Sequence, residues 1–111
     1  MAKHKDVLPG LVALKRQRVE QQVLALQQDV ARIEAAIEGL AAGLKAMDDP
    51  PAGFEALSLS AGNGHIPKVL KDIDASKAEL ARRRAELNAA RLALKNVFHS
   101  EEQLAAAARR H

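Results

Sequence analysis

The chain has 111 residues, with 17 Lys and Arg against 14 Asp and Glu, a net charge of +3 and no cysteine. That length holds one small domain, and the missing cysteines exclude disulfides, thiolate metal sites and cysteine nucleophiles. Ala accounts for 23 positions, and Leu (15), Arg (9), Glu (8) and Lys (8) bring the strong helix formers to 63 of 111, the composition of long helices or coiled coils. Two Phe are the only aromatic residues. So few bulky rings argue against a thick core with a walled catalytic pocket, and against a single-strand nucleic-acid binder that stacks bases on rings.

The N-terminal segment does not read as a secretory leader. Lys3 and Lys5 precede a short apolar run at 7–14, but Pro9 and Gly10 interrupt it and Lys15-Arg16-Gln17-Arg18 closes it. No stretch approaches the roughly 18 uncharged apolar residues of a membrane span. The expectation is a cytoplasmic protein.

From residue 9 onward the chain keeps a strict heptad. The a positions are Pro9, Arg16, Val23, Val30, Ile37 and Leu44, and the d positions are Val12, Val19, Leu26, Ile33, Leu40 and Met47. A seven-residue apolar period makes a seam that supercoils left-handedly against a partner helix. The pattern predicts helix one over about 7–47, with Pro9 harmless if it lies in the first turn. Leu8, Leu11 and Leu14 fall at g, c and f, off the seam and beside Lys15 and Arg18. Clustered leucines amid basic charge suit a partner surface.

Residues 48–65 read as a loop. Asp48-Asp49-Pro50-Pro51 and Gly62-Asn63-Gly64 are turn formers, and Phe54, Leu57 and Leu59 could fold back on the hairpin tip. Asp48-Asp49 is better read as a solvated turn than as a catalytic carboxylate pair. Gly62-Asn63-Gly64 lacks the strand and third glycine of a dinucleotide site. His4, His65, His99 and His111 have no metal-ligand spacing.

Helix two is predicted over about 66–108, with Pro67 in its first turn. Its a positions are Ile66, Ile73, Leu80, Leu87, Leu94 and Glu101, and its d positions are Val69, Ser76, Arg83, Ala90, Val97 and Leu104. Leu70 and Phe98 fall at e and are expected to widen the apolar face. Arg82-Arg83-Arg84 is the densest charge run. Arg83 is expected to snorkel from the seam, with Glu79 and Glu86 in reach. The run is either a solvated face or a contact for a phosphate or an acidic partner.

The two heptads are mutually consistent. A short connection makes neighbouring helices antiparallel, which puts a opposite d. The layers then read Met47 with Ile66, Leu44 with Val69, Leu40 with Ile73, Ile33 with Leu80, Leu26 with Leu87 and Val19 with Leu94. Arg16 and Glu101 fall one layer apart and could pair across the seam. The expected fold is all-α, two long helices in an antiparallel coiled-coil hairpin forming a single domain.

The opening Leu11-Val12-Ala13-Leu14-Lys15-Arg16, the long heptad helix, the turn-rich loop and the Arg/Glu-rich second helix together resemble the FliJ/YscO family of flagellar and type III protein export, over roughly residues 7–105. The chain is shorter than typical members, which continue with a longer charged second helix. The resemblance implies a central stalk whose terminal end sits in the pore of a hexameric export ATPase and promotes its ring assembly and activity. The export gate and export chaperones are further partners it implies, and the location would be peripheral, at the export apparatus. Leu11, Leu14, Lys15, Arg18, Arg82, Arg83 and Arg84 are the candidate partner-binding residues. No catalytic, cofactor or metal residue is expected, and no small-molecule ligand or specific nucleic acid. A generic coiled-coil adaptor that dimerises, and a basic nucleic-acid or membrane-surface binder, are the alternatives.

Overall fold

The computed structural model of the protein describes residues 2–47 and 65–110. They form two long helices, α1 (Ala2–Met47) and α2 (His65–Arg109), and no strand occurs among the described residues. The chain is a helical hairpin. The expected readings of Asp48-Asp49, of Gly62-Asn63-Gly64 and of Phe54, Leu57 and Leu59 lie outside the described residues.

The termini of each helix follow from local chemistry. Pro67 sits in the first turn of α2, where its missing N–H had no helical partner to lose. Lys45 and Arg109 lie in the last turns of α1 and α2, where a cation is favoured by the helix dipole. Pro9 departs from expectation. α1 begins at Ala2, before the expected start near residue 7, so Pro9 lies inside the helix rather than in its first turn. The residue cannot donate to the Lys5 carbonyl, a local cost of up to about 3 kcal/mol.

The helices pair in two compact units. Unit one combines residues 1–28 with 84–111, and unit two is residues 29–83. Each unit therefore brings the early part of one helix against the late part of the other, which is the antiparallel arrangement. The core of unit one is Val19, Leu26, Leu87, Ala90 and Val97, and that of unit two is Ile33, Val69, Ile73 and Leu80. Every one of these is an a or d residue. From Val12 to Met47, and from Ile66 to Leu104, all a and d positions are buried or half-buried. Pro9 is exposed, yet it lines a hollow with Leu104, its counterpart in the layer sequence.

Two expectations about the width of the seam are corrected. Leu70 and Phe98, at e, do not extend the core: they are 49% and 45% exposed. Two helices alone cover only the a and d stripe, and burying e as well takes a third element. Arg83 behaves as expected, half-buried at d with its Nη2 3.8 Å from Glu79 Oε1.

Candidate partner-binding surface

The described residues hold no group of three or more His, Asp or Glu that could bind a metal ion. Two shallow hollows occur in unit one. A hollow of about 310 Å³ runs along α1 between Gly10 and Glu20, and one of about 200 Å³ lies between Pro9 and Leu104. Both are open, and neither gathers groups suited to general acid–base or nucleophilic chemistry. The features that call for a functional account lie on the surface.

Large exposed apolar side chains are unevenly distributed. Among the described residues they are Val7, Leu8, Leu11, Leu14, Leu24, Leu70, Leu92 and Phe98. All but Leu70 belong to unit one. The first four follow one another at i, i+1, i+4 and i+7, the spacing of a continuous stripe on one helix. The stripe runs into Lys15 and Arg18, both exposed. Leu11 and Leu14 are 57% and 63% exposed, so the structure leaves them off the seam as expected.

Charge follows the same division. Unit one carries ten Lys and Arg against five Asp and Glu, net +5, and unit two carries seven against nine, net −2. The modest charge of the whole chain conceals this polarity. Residues 7–19 and 87–100 contain no carboxylate at all, and both stretches lie in unit one.

The structure separates the candidate residues into two groups. Leu11, Leu14, Lys15 and Arg18 occupy two successive turns of α1 in unit one. Arg82 and Arg83 belong to unit two, and Arg84 opens the α2 part of unit one. Arg83 is engaged with Glu79, and Arg84 and Glu86 also have partners. Partnered side chains of this kind are what a solvated, ion-paired helix face presents.

Leu24, Val7 and Phe98 were not singled out as surface residues from sequence. The signal for Leu24 was present: it falls at b, on the outside of the heptad. Phe98 could not be placed in the same way, because an e residue is buried or exposed according to what packs beside the seam.

No protein family, curated protein or solved structure matches the chain. No helix among the described residues is long and apolar enough to cross a membrane.

Proposed function

We propose that the chain is an accessory protein of flagellar or type III protein export, the central stalk of the export ATPase, promoting assembly and activity of the ring. The observation that carries this reading is the placement of exposed apolar side chains around unit one. On α1 they occupy f (Val7, Leu14), g (Leu8), c (Leu11) and b (Leu24), and on α2 they occupy f (Leu92) and e (Phe98). A partner that covered a single side would leave several of them in water. A ring that encloses the unit would cover them together.

On this reading the seam makes the hairpin rigid, and Leu11, Leu14, Lys15 and Arg18 contact the ring lumen. The ring supplies the ATP chemistry, and this chain supplies none. The export gate and export chaperones remain further partners, with Arg82, Arg83 and Arg84 as a second contact region. The protein would act at the cytoplasmic face of the export apparatus.

The test is Leu11→Asp with Leu14→Asp, assayed for stimulation of the cognate export ATPase. Helicity and melting should stay near those of the parent, because exposed substitutions usually stay within about 0.5 kcal/mol, while stimulation is lost. Intact folding with intact stimulation would overturn the stalk reading. Stable self-association of the parent without ATPase stimulation would favour a coiled-coil adaptor.

A further inference from the structure

The hairpin loses its seam before its helices end. The outermost buried residues of unit one are Val19 on α1 and Val97 on α2. No side chain at 7–11 or 98–110 is buried. Beyond Val97 the seam positions of α2 are Glu101, Leu104 and Ala108, and only the first two are half-buried. The matching stretch of α1 holds Pro9, and further out its register offers only Lys5 and Ala2. A hollow of about 200 Å³ lined by Pro9, Leu104, Ala105 and Ala108 marks the level where packing stops.

The same level carries a second helix start inside α2. Ser100-Glu101-Glu102-Gln103 has the form of a capping box, with a serine at the cap, a glutamine three residues on and two acids in the first turn. Leu104, four Ala and Arg109 follow, all strong helix formers. Upstream, Lys95 and His99 are of the types that close a helix. In the structure α2 is continuous through these residues. There the Ser100 hydroxyl donates back to the Asn96 carbonyl at 3.1 Å, a bond that competes with the backbone ladder and favours bending.

We infer that Ser100 is a hinge: α2 breaks there reversibly, and residues 101–109 move as a short helix capped by Ser100. In the broken state the Ser100 hydroxyl leaves the Asn96 carbonyl and accepts from the Gln103 N–H, while the Gln103 side chain reaches back to the Ser100 N–H. The Leu104 N–H keeps the Ser100 carbonyl, the first bond of the new helix. Only the Glu101 and Glu102 amides are left without a partner in the chain. The Arg16 Nε, 3.0 Å from Glu101 Oε1, ties the pivot to α1, and the loose packing beside Pro9 leaves the segment room to move. α1 does not brace it, because Pro9 interrupts its own ladder at the Lys5 carbonyl. The hinge is a property of this chain alone and is measured without an ATPase. Its failure leaves the stalk reading standing, and the reverse holds too.

The experiment is residue-resolved amide exchange of the full chain, followed by NMR. The hinge gives a dip in protection at Glu101 and Glu102, with stronger protection at 97–99 and again at 105–107. Protection that falls steadily from Val97 to Arg109 is simple fraying and would overturn the proposal. Cα chemical shifts should stay helical through 102–108, and coil values there would overturn it as well. Ser100→Ala removes the cap and favours the continuous helix. Exchange at Glu101 and Glu102 should then slow about fivefold or more. Ser100→Thr keeps a capping hydroxyl and should leave those rates within about threefold of the parent. Rates that ignore Ser100→Ala, or that slow equally in both variants, would show that the cap does not govern the opening, and the hinge would be wrong.

Discussion

Arg16 of α1 reaches across the seam to Glu101 of α2, with its Nε 3.0 Å from Glu101 Oε1. The same guanidinium donates from Nη1 to Glu20 Oε1 at 3.1 Å, along its own helix. The Nε atom is buried, and its N–H is not aimed well enough at either carboxylate to make a hydrogen bond. The cross-helix contact is therefore an ion pair. The side chain as a whole remains 40% exposed, so its stem lies over the seam and its tip reaches water. A charge at a core a position is tolerated here because the hairpin ends nearby and solvent is close.

The first prediction follows from that geometry. Pairs of this exposure are worth about 0.2–1 kcal/mol. Arg16→Glu should lower stability by more than that, because it sets one new carboxylate against the two already there, Glu20 and Glu101. Adding Glu101→Arg should recover part of the loss. Thermal melts of the two single variants and the double variant measure the coupling. Strict additivity would mean that the pair contributes nothing.

Burial distinguishes Ile33 from Leu24, two aliphatic residues of the same helix. Ile33 is 4% exposed and Leu24 is 56% exposed. Ile33→Ala removes packed atoms and leaves a cavity, and should cost about 2–4 kcal/mol. Leu24→Ala should change stability by no more than about 0.5 kcal/mol. Urea unfolding followed by circular dichroism compares the two directly.

Gly39 and Gly43 weaken α1 without a steric reason. A Cβ placed at either position meets nothing within 4 Å. Replacing each by Ala should therefore stabilise the hairpin by about 1 kcal/mol, chiefly through backbone entropy and solvation. A higher melting temperature in the double variant is the expected outcome. A loss of stability would show that the added methyl groups obstruct the native packing.

Pro9 should act locally. Pro9→Ala restores a donor to the Lys5 carbonyl and removes the ring clash. Amide exchange around residues 5–12 should slow, and global stability should rise less than the local gain because a helix end can fray independently. Unchanged exchange would mean that the first turns of α1 are already frayed in the parent.

The seam was determined by the sequence itself. The period of seven from Val12 to Met47 and from Ile66 to Leu104 is a local property, readable without any partner, and the buried residues of both units fall on it. The antiparallel pairing was legible too, since two independently aligned heptads matched layer by layer and placed Arg16 near Glu101. The off-seam positions of Leu11 and Leu14 followed from the same period. Tertiary structure alone decided what happens beside the seam. Phe98 and Leu70 carry the hydrophobicity of core residues, yet at e they are covered only if a third element arrives, and two helices leave them in water. Pro9 likewise reads as a helix boundary by its own chemistry, but the helix continues through it to Ala2. The division of the chain into a basic, apolar-studded unit and a mildly acidic one also needed the fold. Residues 1–28 and 84–111 are far apart in sequence, and their charges and leucines form one surface only because the hairpin brings them together.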